Sequence, residues 1–295
     1  MSELTTTLPG KHPAWLLDRV ANVYSQTGED GVLAAVFEII PPEPNPWCVE
    51  FGAWDGVHLS NTRNLVETRG FTPVLIEADK TRFRDLKATY RDKPEACLIN
   101  AMVGFGPEDN LDCLLADTAI PYDFELLSID IDGNDYHVWK AMTRYRPKVV
   151  IIEYNPTIPT PVRFVQQANP RRNQGCSLLS LVELGREKGY ELVCALTMNA
   201  VFVRQEDYPA FGLTTNEPEA LRLEQPLVTW VFSGYDGRIF IDGHRWLPWH
   251  KLELRETDFQ VVPRRLRQQH TFYSPTQRLL FRMFRWLREH WRQRR

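Results

Sequence analysis

Five apolar runs constrain this chain most: WCVEF at 47–51, PVLIE at 73–77, ACLINAMV at 96–103, FELLSIDI at 124–131 and KVVIIEY at 148–154. None alternates apolar with polar residues, so each reads as a strand covered on both faces, as in a parallel sheet flanked by helices. Helix-patterned segments at 60–68, 80–90, 138–145 and 177–188 fall between or after them. An entry helix at 31–40 precedes the first strand and is stopped by Pro41, Pro42, Pro44 and Pro46, which cannot continue it. Two further runs, 190–196 and 200–204, are close enough for a tight antiparallel hairpin. The fold class predicted is α/β: a Rossmann-like, doubly wound, mostly parallel sheet ending in an antiparallel hairpin, then a β-containing extension and an amphipathic helix. The corresponding divisions are 1–46 (entry helix and cap), 47–210 (core), 211–263 (an extension placed to cover the site) and 264–295 (a basic tail helix).

With 295 residues, 43% hydrophobic and 25% charged, the chain can bury one large core and carry an appendage. Its net charge of −3 is uneven: residues 264–295 hold ten arginines and one acid, giving +9 there and −12 in the remainder. An acidic body argues against a nucleic-acid partner bound through broad phosphate contacts. Five scattered cysteines without a C-x-x-C pair predict neither a disulfide framework nor a zinc site. The first residues, MSELTTTLPGKHPAW, lack a cationic segment followed by an apolar one, and no apolar run is long enough to span a bilayer. Cytoplasmic residence is the expectation.

Ligands of open parallel sheets bind beyond the carboxyl ends of the strands, so the polar residues there carry the chemistry. The first strand ends in Glu50, Gly52 and Gly56, glycines that permit a tight turn and let a ligand approach the backbone. The second ends in Glu77 with Asp79 beyond it, where an acid can accept hydrogen bonds from both hydroxyls of a ribose. That admits many nucleoside cofactors. G-A-W-D-G lacks the third glycine of a dinucleotide fingerprint, however, and its neighbouring acids suit a cationic sulfonium and an amino group better than a pyrophosphate.

In order, V-E-F-G-A-W-D-G, L-I-E-A-D, S-I-D-I-D-G-N-D-Y and V-V-I-I-E-Y-N-P resemble the strand-end motifs of class I S-adenosylmethionine methyltransferases. Y-S-Q-T-G-E-D-G-V-L at 24–33, S-N-T at 60–62 and N-A-V-F-V-R at 199–204 narrow the resemblance to the FkbM-type branch, over residues 20–210. The resemblance implies S-adenosylmethionine as cofactor and transfer of its methyl group. It places Gly52 and Gly56 along the methionine part, Glu50 near the amino group, Glu77 on the ribose, Asn100 and Ala101 beside the adenine, and Gln26 and Glu29 over the top. Asp130 falls where the methyl group leaves. D-I-D-G stands here where many FkbM-type proteins carry an acid, one residue, Glu and Gly, so Asp132 keeps the carboxylate on a shorter arm.

Residues two apart on a strand share a face, so Asp130 with Asp132, and Glu153 with Asn155, can aim oxygens into one crevice suited to Mg²⁺ or another hard cation. Without a metal, an acceptor hydroxyl needs a general base, for which His137 is the first candidate and His58 the second. Each histidine has a structural reading too. Asp132, Asn134 and Asp135 equally suit a helix N-terminus, which accounts for Asp135 but poorly for a carboxylate inside the apolar strand at Asp130.

Ser274-Pro275-Thr276-Gln277 reads as an N-cap, and the helix after it gathers Leu280, Met283, Phe284, Leu287 and Trp291 on a stripe, with five arginines elsewhere. Such a tail docks on the acidic body, on the partner of a homodimer, or, through 274–295, at the inner face of an anionic membrane. The function expected is O-methylation of a carbohydrate hydroxyl on a surface glycan or lipid-linked sugar. A natural-product tailoring methyltransferase and a non-catalytic membrane scaffold are the rivals.

Overall fold

The computed structural model describes residues 12–222 and 224–292; residues 1–11, which include most of the N-terminal stretch read for an export signal, lie outside it, as do the side chains of Trp291 and Arg292. The chain divides into two compact units, Met1–Gln225 and Pro226–Arg295.

The first unit is built on seven strands: β1 (Trp47–Phe51), β2 (Thr72–Ile76), β3 (Cys97–Ile99), β4 (Leu126–Ile129), β5 (Val149–Glu153), β6 (Tyr190–Ala195) and β7 (Asn199–Arg204). Their order is β3-β2-β1-β4-β5-β7-β6, with β1 to β5 parallel and β7 antiparallel to both neighbours. This is the doubly wound sheet with a terminal antiparallel hairpin expected from the apolar runs. Helices α1 (Glu29–Ile39), α2 (Arg63–Arg69), α3 (Lys80–Thr89), α4 (Leu111–Leu115), α5 (Asp135–Ala141), α6 (Leu178–Glu187) and α7 (Pro218–Leu221) complete the unit. The short α4, between β3 and β4, is capped by Asn110 Oδ1, which accepts from Cys113 N.

Side-chain alternation sorts the strands into two cores. Val49, Phe51, Ile76, Leu127, Ile129 and Ile152 pack with Leu111, Trp139 and Leu181 of α4, α5 and α6. Cys48, Leu75, Leu126, Val149, Ile151 and Val201 pack on the other face with Val36, Phe37, Leu65 and Leu86 of α1, α2 and α3. With both faces covered, continuous apolar runs are what these strands require. All five cysteines are free thiols.

The second unit holds the hairpin β8 (Thr229–Ser233) and β9 (Ile239–Gly243), the short pair β10 (Trp246–Leu247) and β11 (Leu252–Glu253), one turn α8 (Glu256–Phe259), and the long α9 (Pro275–Arg292). A capping box starts α9: Ser274 Oγ accepts from Gln277 N at 3.2 Å, and Gln277 Oε1 accepts from Ser274 N at 3.0 Å. None of the described helices is long and apolar enough to cross a membrane.

Candidate functional site

The register builds the site. Phe51 lies beside Ile76 and Ile129, Ile76 beside Ile99, and Ile129 beside Ile152. One residue further on, Asn100, Glu77, Gly52, Asp130 and Glu153 therefore leave the sheet side by side, and Asn199 faces Glu153 directly across the β5–β7 pair. Counting in steps of two from the buried residues under α1–α3 places this whole row on that face. Five of its six members were legible as strand ends. Asn199 was not, because it begins a strand of opposite direction, and only the pairing of β5 with β7 brings a strand start to the carboxyl edge.

At the centre of the row Gly52 is exposed and has φ +74°, and a Cβ built there would lie 2.2 Å from the Asp130 carbonyl oxygen. The bare backbone lets β1 and the loop after β4 close together. Gly56 differs: it is buried, and the space where its side chain would be is filled by Tyr90 and Leu86 of the α3 region. It serves packing, so the role expected of it along a cofactor is not the one its surroundings provide.

Glu77 is buried, and each of its oxygens holds one backbone group: Oε2 accepts from Trp54 N at 2.9 Å and Oε1 from Asp79 N at 2.7 Å. It thereby fixes the glycine turn relative to the start of α3, where Asp79 caps Thr81 N and Arg82 N. Asn100 donates from Nδ2 to the Glu77 carbonyl oxygen at 2.8 Å. Arg82 stacks over the Trp54 ring at 4.0 Å, and His58 meets the same ring edge-on at 5.1 Å, exposed.

Glu50 lies one pleat deeper and is fully engaged. Its carboxylate accepts from Ser60 Oγ and Thr62 Oγ1, both at 2.6 Å, and from Asn61 N at 2.8 Å. Through these bonds Glu50 folds the S-N-T segment onto the sheet and so positions α2. Burial raises its pKa, and those three hydrogen bonds oppose the rise.

Asp130, Asp132 and Glu153 converge, each offering an oxygen within 4.8 Å of the others. Burial is the largest cause raising the Asp130 pKa, followed by the charges of Asp135 and Asp132. Burial, then Asp130, pushes Glu153 up to about 10, while a hydrogen bond from the Asp132 backbone pulls the other way. Asp135 organises the turn beneath, accepting from Ile131 N at 2.9 Å and Gly133 N at 2.8 Å, and burial lifts it to about 6. That turn needs φ +56° at Asp132. Asn155, predicted as a fourth oxygen ligand, is turned elsewhere: Oδ1 accepts from Thr157 N and Oγ1, and Nδ2 donates to Gln174 O.

His137 is also committed. Its Nε2 lies 2.8 Å from the Gln166 carbonyl oxygen, which can only accept, so Nε2 carries the proton and ties α5 to the loop after β5. With Nε2 so engaged, Nδ1 is the ring nitrogen left to accept a proton. Arg222, unremarked in the sequence, secures the same loop by donating to the carbonyls of Pro156 and Ile158 at 2.7 and 3.0 Å.

The N-terminal turn has the internal bonding of a rigid strap. Asp30 Oδ2 gathers the backbone N–H groups of Val23, Tyr24 and Ser25 at 2.7–2.9 Å. Glu29, fully buried, accepts from Thr27 N at 2.6 Å and from Asn199 Nδ2 at 2.9 Å. Gln26 is exposed on the same turn. Both Glu29 and Glu50 lie near enough to raise the Asp130 pKa, so strap and strand ends share one acidic field.

No protein-family model matches this chain, and no curated protein matches it in sequence. Solved structures similar to it include the N-terminal domain of EvdMO1 with SAH bound, at 12% identity and TM-score 0.39, covering 63% of this chain and 82% of that one. The CurJ carbon methyltransferase aligns at 7% identity and TM-score 0.40 over 61% of this chain and 56% of its own. The O-methyltransferase NcsB1 from neocarzinostatin biosynthesis, in complex with S-adenosyl-L-homocysteine, aligns at 12% and 0.34 over 60% and 57%. At these scores the likeness says nothing about chemistry, which is read from the residues themselves.

Proposed function

We propose that this chain is an S-adenosylmethionine-dependent O-methyltransferase whose acceptor is a carbohydrate hydroxyl. The observation that supports this is the row Asn100, Glu77, Gly52, Asp130, Glu153 and Asn199 along one edge of the sheet. The cofactor, when bound, supplies a methyl group on a cationic sulfonium. Each oxygen of Glu77 holds one N–H and keeps a further lone-pair direction for a ribose hydroxyl. Gly52, having no side chain, leaves backbone open at the centre of the row. Desolvation and neighbouring carboxylates raise the pKa of Asp130 and of Glu153; a cation arriving beside them favours their charged forms. A carboxylate so released can take the acceptor's proton while the crevice aligns the reacting atoms. The FkbM-type resemblance of 24–33, 60–62 and 199–204 suggests a sugar or a polyketide-like acceptor, and the basic tail, suited to a membrane-assembled glycan, favours the carbohydrate.

A metal-assisted version is favoured by one observation, the convergence of Asp130, Asp132 and Glu153 within 4.8 Å. Hard oxygen donors fit a Mg²⁺-like cation, which these three residues would hold and which would lower the pKa of an acceptor hydroxyl.

Calorimetric titration of S-adenosylhomocysteine tests the proposal, with NAD as comparison and with EDTA followed by Mg²⁺. Micromolar binding of the homocysteine compound and none of NAD is expected. Binding of NAD alone, or of neither, overturns the cofactor assignment, and a response indifferent to EDTA and Mg²⁺ removes the metal-assisted version.

A further inference from the structure

Along α9 a stripe of apolar residues is exposed among the described residues. Leu279, Leu280, Met283, Trp286 and Leu287 are each 50–60% exposed. At 3.6 residues per turn they occupy one arc of about 120°. The side of the helix that does pack is a different one: Phe281 and Phe284 are half-buried, and Phe281 meets Tyr273 edge-on at 5.6 Å. Tyr273 is itself buried and donates to Leu266 O at 2.6 Å. The capping box at Ser274 and Gln277 fixes where the helix begins, and Gln277 Nε2 donates to Arg265 O. The exposed stripe is thus a second apolar face, rigidly presented.

Charge narrows what can cover it. Arg278, Arg282, Arg285 and Arg288 are exposed around the rest of the helix, and Glu289 is its one acid. Residues 226–295 carry a net +8, while the rest of the chain carries −11. Five of the nine tryptophans fall in the same 70 residues, and Trp230, Trp246 and Trp249 are exposed there as Trp286 is. Tryptophan and leucine on one side with arginine on the others is the composition of a helix lying in the headgroup layer. There the apolar face sinks to the acyl boundary and long arginine side chains reach the phosphates.

We propose that the second unit is a peripheral docking surface for an anionic lipid bilayer, with the Leu279–Leu287 stripe of α9 as the part that enters. This stands independently of the chemistry assigned to the first unit.

Co-sedimentation of the full chain with phosphatidylcholine vesicles, with and without phosphatidylglycerol, tests it. Pelleting is expected with the anionic vesicles, weakening as salt rises, and little with phosphatidylcholine alone. The double variant Leu280→Glu/Met283→Glu changes exposed positions only, so its circular dichroism and Tm should match the parent while its vesicle affinity falls about tenfold or more. Retained affinity in that folded variant overturns the proposal, as does absence of pelleting with anionic vesicles. A parent chain that is dimeric by light scattering and becomes monomeric in the variant overturns it too, because the stripe would then be covered by a second copy.

Discussion

Asn199 donates from Nδ2 to Glu29 Oε1 at 2.9 Å, joining the N-terminal strap to a strand that begins 170 residues later. Both groups are buried, and Asn199 Oδ1 accepts no hydrogen bond from the described residues. One amide therefore holds the strap through its nitrogen while its oxygen stays unpaired among the described residues, on a residue that faces Glu153 across the ladder.

Asn199→Leu removes the donor and leaves a buried carboxylate short of one partner. A loss of about 1–3 kcal/mol in unfolding free energy is expected by urea denaturation. Faster proteolytic cutting near residues 22–28 should accompany it, and unchanged cutting would show that the strap is held by Asp30 alone.

Glu77→Ala should abolish measurable S-adenosylhomocysteine binding, while Glu77→Gln should weaken it by about 1.5–3 kcal/mol, since one of the two accepting oxygens is replaced by a donor. Calorimetry separates the two. Equal binding by both variants and the parent would remove Glu77 from the cofactor site.

Asp130→Asn should eliminate turnover yet stabilise the unliganded fold. Carboxylates whose folded pKa is raised bind more protons folded than unfolded across the window between the ordinary carboxylate value and the raised one. Stability is therefore lost as pH climbs through that window, which for Glu153 reaches about 10. An amide at 130 has no proton to gain or lose, so Asp130→Asn removes that group's share of the cost. A Tm increase of about 2–4 °C at neutral pH, the response to ~1 kcal/mol, is expected, with a flatter Tm against pH. A lower Tm would mean that Asp130 is stabilised by a contact outside the acid cluster.

Two glycines of similar φ make a controlled pair. Gly70, φ +67°, has nothing within 4 Å of a built Cβ, whereas Gly52, φ +74°, would press on the Asp130 carbonyl oxygen at 2.2 Å. Gly70→Ala should cost about 1–2 kcal/mol, the left-handed penalty alone. Gly52→Ala should cost clearly more and also weaken cofactor binding, because Asp130 must move. Equal costs in thermal denaturation would show that the row tolerates displacement there.

The strands, their covered faces and most of the polar residues at their ends could be read from the sequence, because a period-2 backbone turns each apolar run into two buried faces and pushes its terminal acid to the sheet edge. Glu77, Asp130 and Gly52 were found that way, and the cap at Ser274 from its Ser-Pro-Thr-Gln signature. What those residues touch is set by the loops that folding brings against them. Glu50 is engaged by Ser60–Thr62, His137 by the Gln166 carbonyl and Asn155 by its own loop, each because a polar group withdrawn wholly or partly from water takes a partner that folding supplies. Local pattern determined which residues reach the edge of the sheet. Strand order, and the reversal of β7 above all, decided which of them meet, since only pairing across the sheet could put Asn199 against Glu153 and close the acidic crevice.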